Sequence, residues 1–479
     1  RLWGHFDMLS APLVVRGLAL HSASALPLAA SPRPEPKMHG IDALENGSDN
    51  LSRASTATSL AEAHCDRANG SSDRAASACG FWATVINITK AFVGAASFAL
   101  PKAFNDGGLA GASVGIVVLA FLSHFALSRL ARCSHLVPGG SRPTYPAVGQ
   151  AALGPVGRLL AWFGMLAMTL GVCGSYVVFM VTRLEALLGV RPEVGLVAVC
   201  SVVTLLSWLR SYRLLAYTSF FGILALVFAL AVQCVDVFKQ DFAPLSELEP
   251  FVRVDTYGGF LGNAGFLYLI STAILPLEQS MKEEVRPQFG KALAVAMVPV
   301  TVLNIAFAAL AYWGYGDCLH SPTHCVQGLV VDNLPSGMLT DVVNALLSLD
   351  LLFTCIVFLF PMSQLLENEF LDETRFGEWP TELWRNALRT LMVVGIAVVA
   401  KGVPIFDMLT GLSGGFGNNI LGLILPPAFY VLLRRHAKAP PVGSMPKSLE
   451  MMACCACFIF GLGFIVLTVA TFAKDISAR

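Results

Sequence analysis

The 479-residue chain is 55% hydrophobic and 13% charged, with a mean hydropathy of +0.66 and a formal net charge of zero. Soluble domains carry about 25% charged residues, and surface area still grows steeply with mass, so a water-soluble enzyme is excluded. The balance of 32 Lys+Arg against 32 Asp+Glu, with no basic stripe, excludes a nucleic-acid partner. Twelve Cys in so long a chain make no disulfide scaffold, and the metal spacings CxxC…CxxC and HExxH do not occur, so no cofactor or metal is expected.

The chain opens on Arg1, and Met38 would serve equally as a start. Residues 1–80 are rich in Ala, Ser, Pro and charge without a sustained helical period. They read as a disordered cytosolic tail rather than a cleaved targeting segment over Met8–Ala30, which Arg16, His21 and Pro27 interrupt. Asn46, Asn50 and Asn69 head glycosylation-type triplets in that tail, and Asn87 heads one inside a span. None is expected to be glycosylated.

From Phe81 the chain becomes a series of apolar runs of the length that crosses about 30 Å of hydrocarbon at 1.5 Å per residue. Eleven spans are predicted, at 81–104, 109–130, 157–182, 193–209, 214–237, 257–280, 290–314, 339–362, 385–400, 403–433 and 448–473. Helices are required because lipid offers no partner to a free amide, and the unbroken apolar run Leu293–Val298 lacks the alternation of a barrel strand. The expected organisation is a tail over 1–80, a membrane domain over 81–473 and a short tail over 474–479. Lys and Arg in the short loops favour an inward amino end about two to one, which puts the carboxyl end outside or in an organelle lumen. Cys318 and Cys325 then face the oxidising side, as a disulfide or free thiols, with metal binding through His320 and His324 a distant third. Cys454, Cys455 and Cys457 read as small packing residues in the last span.

Two spans carry backbone breakers. In the first, Asn87-Ile-Thr-Lys90-Ala-Phe-Val-Gly94-Ala-Ala-Ser-Phe-Ala-Leu-Pro101 sets small residues ahead of a proline, as Gly262-Asn-Ala-Gly265-Phe-Leu-Tyr268-Leu-Ile-Ser271-Thr-Ala-Ile-Leu-Pro276 does in the sixth. Paired interrupted helices point to a transport site at the midplane; the plainer reading is that Gly and Pro merely pack or kink membrane helices. Charge adds to the first reading. Lys90 lies about 13 Å deep by helical rise, where a charge costs roughly 2.5–3.5 kcal/mol, and Asp350 lies equally deep in the eighth span. They are read as a pair facing the bundle interior, with Thr354 one turn from Asp350; structural pairing is the alternative. Glu278 and Lys282 at the end of the sixth span read as an i, i+4 ion pair. His124 is read as a packing residue with no obvious partner.

These segments resemble the amino acid/auxin permeases, including the proton-coupled and vacuolar amino acid transporters. The carrying motifs are Lys90-Ala-Phe-Val-Gly94 through Leu100-Pro101 to Gly107-Gly108, then Leu275-Pro-Leu-Glu278-Gln-Ser-Met281-Lys282. Gly314-Tyr-Gly…Asn333-Leu-Pro335 and Pro404-Ile-Phe…Gly411…Leu425-Pro426 follow, in family order, and the likeness spans about Phe81 to Ala473. The resemblance implies an all-α membrane protein, a leucine-transporter-type five-plus-five inverted repeat with broken first and sixth helices. It implies that Val93, Gly94, Ala95 and Ala96 offer backbone to a substrate carboxylate. Carbonyls of Tyr268, Leu269 and Ile270 would face the substrate ammonium, and Thr354 matches a hydroxyl at the cation site of sodium-coupled members. Lys90 stands where those members have Asn, so proton coupling or uniport is expected before sodium. Leu269 replaces an acidic residue common in the proton-coupled branch, which makes Asp350 the substitute proton carrier. Ala95 and Ala96, where Gly is usual, tighten the cavity toward small substrates.

The expected function is secondary active transport of neutral amino acids across a plasma or vacuolar/lysosomal membrane. The alternative is an amino acid sensor with slow transport. A channel lacks a filter-like loop, and an enzyme lacks a clustered His or carboxylate set.

Overall fold

The computed structural model describes residues 79–477 except 139–141, 209–211, 243, 245–247, 250–252, 319–324, 371–377 and 438–445. The expected tail, its three Asn triplets, and His320 and His324 lie outside the described residues. Among the described residues the regular structure is helical, apart from one isolated bridge between Cys79 and Met281.

The helices are α1 (Phe81–Phe92), α2 (Leu100–Gly107), α3 (Leu109–Leu136), α4 (Tyr145–Leu188), α5 (Pro192–Trp208), α6 (Tyr212–Val237), α7 (Tyr257–Tyr268) and α8 (Ser271–Gln279). There follow α9 (Phe289–Tyr315), α10 (Met338–Phe370), α11 (Glu378–Gly402), α12 (Phe406–Ser413), α13 (Leu425–Ala437) and α14 (Lys447–Ser477). Among the described residues, eight helices or joined helix pairs are long and apolar enough to cross a membrane, and the bent pair α1–α2 makes a ninth. Two shorter apolar helices, Pro192–Trp208 and Phe221–Val237, complete the order of spans expected from the sequence. The third span begins early: Tyr145–Leu153 precedes a turn at Gly154, whose φ of +64° suits glycine, and Pro155. The tenth is interrupted, α12 passing into α13 through two π-helical turns, Gly414–Asn418 and Ile420–Ile424.

Packing separates inner helices from outer ones. In the third span, the joined α7–α8 span and the tenth, 72–78% of the apolar window is buried, whereas the windows of α11 and α14 are 28% buried. The outer helices turn large apolar side chains such as Leu391, Val398, Ile459 and Val466 to the exterior, which lipid accepts and water would not. Close approach at the centre depends on glycine. A Cβ on Gly262 of α7 would overlap the carbonyl of Gly411 in α12, and one on Gly414 would overlap the carbonyl of Gly262. Small residues let helix backbones touch where lipid supplies no hydrophobic drive.

Candidate functional site

The first span stops being an α-helix at Val93 (φ −99°, ψ 110°) and Gly94 (φ −154°, ψ 179°). A 3₁₀ turn, Ala95–Ala99, follows, and then α2, which carries Pro101 in its first turn. The two helical pieces are bent by 44°. The start of a helix leaves its first N–H groups without a partner inside the helix; here those groups belong to Ala95 and Ala96. Val93 and Gly94 are half-buried, and a Cβ built on Gly94 would meet nothing within 4 Å. The break therefore borders open space, unlike the crowded glycines of the α7–α12 crossing.

The sixth span breaks at Leu269 (φ −104°, ψ 54°) and Ile270 (φ −86°, ψ 63°). The end of α7 leaves its last carbonyls free of intrahelical partners. One is already taken: Ser123 of α3 donates its hydroxyl to the carbonyl of Tyr268 at 2.6 Å. Another, that of Phe266, accepts from Asn418 Nδ2 at 3.2 Å. The side chains of Tyr268, Leu269 and Ile270 are buried, and that of Leu269 packs against Gly422 of the tenth span. Aromatic rings stand around both breaks, Phe92 on Tyr268 at 6.3 Å, and Tyr176 of α4 edge-on to Phe266 and to Phe358 of α10, each at 6.3 Å.

A buried polar chain joins the two broken spans, and the sequence reading did not find it. Ser97 Oγ donates to Asn304 Oδ1 of α9 at 3.1 Å, and Asn304 Nδ2 reaches the Tyr268 hydroxyl at 3.5 Å. Its one sequence signal was a lone Asn in the apolar run of α9.

Lys90 is half-buried on α1, and Asp350 is half-buried on α10. Each lies within electrostatic reach of the other, but they form no ion pair within 4 Å. The Asp350 carboxylate instead rests on Gly222 of α6, where a Cβ would overlap Oδ1. Thr354 follows one turn along α10, half-buried. His124, read as having no partner, places Nε2 3.0 Å from the Gly290 carbonyl.

Polar contacts close both ends of the broken pair. At the end shared by α2 and α7, Asn105 Oδ1 accepts the Cys318 amide at 2.9 Å, and Thr256 donates to the Asp106 carbonyl at 2.6 Å. Arg253 pairs with buried Asp317, which also accepts the Tyr312 hydroxyl at 2.6 Å. Cys318 and Cys325 are joined there as a disulfide. At the end shared by α1 and α8, Cys79 exchanges backbone hydrogen bonds with Ser280 and Lys282 at 2.8 and 3.0 Å. Glu278 is buried against His135 at 3.0 Å, Ser134 at 3.2 Å and Arg286 at 3.4 Å. This corrects the expected Glu278–Lys282 pair. Lys282 is exposed, because the chain turns out of the helix at Ser280 and the i, i+4 relation is lost.

A family model described as transmembrane amino acid transporter protein matches residues 78–472. The chain is 26% identical to amino acid transporter ANT1 of Arabidopsis thaliana over 413 residues, 79% of this chain and 90% of the relative. It is 24% identical to vacuolar amino acid transporter 3 of Schizosaccharomyces pombe, over 81% of this chain and 57% of the relative. It is also 24% identical to the proton-coupled amino acid transporter-like protein pathetic of Drosophila melanogaster, over 72% and 75%. Among solved structures, a substrate-bound, outward-open Na⁺-coupled sialic acid symporter aligns with a TM-score of 0.48 at 12% identity, over 82% of this chain and 90% of that one.

Proposed function

The chain belongs to the transmembrane amino acid transporter family, and on that premise we propose that it carries neutral amino acids across a membrane by alternating access. The observation that carries this reading is the pair of helix breaks in the first and sixth spans, the first of them beside open space. Amides at Ala95 and Ala96, at the positive end of a half-helix, suit a carboxylate. Carbonyls at Leu269 and Ile270 suit an ammonium, with the second lone pair of Tyr268 as a third acceptor. No formal charge lies among Val93–Ala96 or Tyr268–Ile270, which fits a zwitterion of no net charge. The two broken spans stand five places apart in the order of crossings, so the sixth runs opposite to the first, as an inverted repeat requires.

Proton coupling, with the amino end in the cytosol and the protein in a vacuolar-type membrane, completes the proposal. Its supports are Lys90 beside Asp350, the loop charge bias, and relatives named as vacuolar and as proton-coupled. The polar layers at the two ends of the broken pair would open in alternation, and transport without trapping calls for similar substrate affinity in both states.

The test is uptake of a panel of labelled amino acids by the purified protein in proteoliposomes, with imposed pH or sodium gradients. Accumulation of neutral amino acids that follows the pH gradient and ignores sodium is expected. Uptake of no amino acid would remove the reading as a whole; uptake indifferent to pH would remove the coupling alone.

A further inference from the structure

A second cluster of charge lies away from the helix breaks, where the end of α3, the end of α13 and the start of α14 meet. Glu450, in the first turn of α14 and 1% exposed, is its only carboxylate among the described residues. Its Oε1 pairs with Arg129 Nη1 of α3 at 3.0 Å and accepts the Tyr430 hydroxyl of α13 at 3.1 Å. Its Oε2 pairs with Arg434 in the last turn of α13. Arg132, one turn beyond Arg129, faces the same Tyr430 and Glu450. Three guanidiniums thus surround one carboxylate, leaving two positive charges in excess.

The excess has unused donors. Arg129 is 6% exposed, yet its Nε has no hydrogen-bond partner; Arg132 Nη1 and Arg434 Nη2 are likewise buried and unpartnered. Guanidinium is a planar fork of donors that matches phosphate oxygens, and a buried donor left unmade calls for an acceptor from outside the chain. Cys133, Cys454 and Cys457 line the cluster and are at most weak acceptors.

The neighbouring surface indicates where the acceptor comes from. On α14, Leu449, Met452 and Ile459 are 49, 67 and 68% exposed, beside and beyond buried Glu450. These side chains lie on the side of α14 turned away from Glu450, and they put lipid against the helix at the depth of the cluster. Basic pockets between membrane helices at the headgroup level bind anionic lipids. We propose that Arg129, Arg132 and Arg434 form a binding site for the phosphate of an anionic phospholipid, occupied from the bilayer.

The experiment uses the full chain purified in detergent, following its unfolding temperature while phosphatidic acid, phosphatidylcholine or inorganic phosphate is titrated. Phosphatidic acid should raise it in a saturable way, and the other two should not. Arg132→Gln, which leaves both Glu450 ion pairs in place, should weaken the apparent affinity for phosphatidic acid about fivefold. Arg434→Gln should weaken it at least as much, and Lys291→Gln, at an exposed position on α9, should leave it unchanged. Equal responses to the two lipids, or unaltered affinity in both arginine variants, would overturn the proposal. Protection by inorganic phosphate equal to that by phosphatidic acid would make this a free-anion site and overturn its assignment to lipid.

Discussion

Gly94 sits in extended backbone that any residue adopts, and the space where a side chain would grow is open. Torsion therefore does not demand glycine at this position. Gly94→Ala should fold normally and retain some transport. Gly94→Leu should fold as well but fill the space beside the break, lowering uptake at least about tenfold, equivalent to ~1.4 kcal/mol of binding. Wild-type uptake in the leucine variant, with unfolding temperature unchanged, would show that this space is not the route. Lys90 and Asp350 give a second prediction at this scale. Lys90→Ala and Asp350→Asn should each abolish accumulation driven by a pH gradient while preserving exchange of labelled for unlabelled substrate; normal accumulation in both would refute their role. These two charges stood out in the sequence because a charge in a twenty-residue apolar run has few ordinary explanations. Ser97, Asn304 and Ser123 did not, because a lone Ser or Asn is ordinary in a membrane helix. Asn304 acquires meaning only through a partner 207 residues away, which no local pattern encodes.

At the scale of elements, the Gly- and Pro-rich composition of the first and sixth spans marked them as interrupted, while only the family resemblance pointed to the positions, Val93–Ala96 and Tyr268–Ile270. The sixth breaks between Leu269 and Ile270, two apolar residues, with Pro276 left inside α8. The position is set by neighbours: Ser123 and Asn418 take carbonyls near the end of α7, and Thr410 holds Asn263 at 2.6 Å. The anchoring of α7 can be tested through its glycines. Gly262→Ala would drive a methyl into the Gly411 carbonyl and should destabilise the protein by about 1–3 kcal/mol. Gly463→Ala, on α14 with nothing within 4 Å, should be neutral or stabilising by up to ~1 kcal/mol. Denaturation of both variants in detergent checks the pair, and equal effects would mean that the α7–α12 crossing is not a tight backbone contact.

For the whole molecule, the positions of the long apolar helices were readable from run length, because hydrocarbon thickness fixes helix length. The arrangement of inner and outer helices was not: α14 has the highest window hydropathy, 2.5, and lies outside, while α11, also outside, has the lowest, 1.4. Burial in a bundle is decided by partners rather than by hydropathy, since lipid and protein interior are similarly apolar. Eleven crossings, the number expected from the sequence, would put the two ends of the chain on opposite sides of the membrane. Acceptor sites for glycosylation appended to each end in turn should be modified at the carboxyl end and untouched at the amino end; modification at both or at neither would mean an even number of crossings.

The claim on which the transport reading rests is that bare peptide groups at the two breaks grip both charges of one amino acid. Competition against uptake of a labelled neutral amino acid tests it most directly, using the same amino acid unlabelled, as its N-acetyl derivative and as its methyl ester. The account predicts that only the free amino acid competes, because each derivative removes one of the two charges the breaks are placed to hold. Full competition by the acetylated and esterified forms would contradict it.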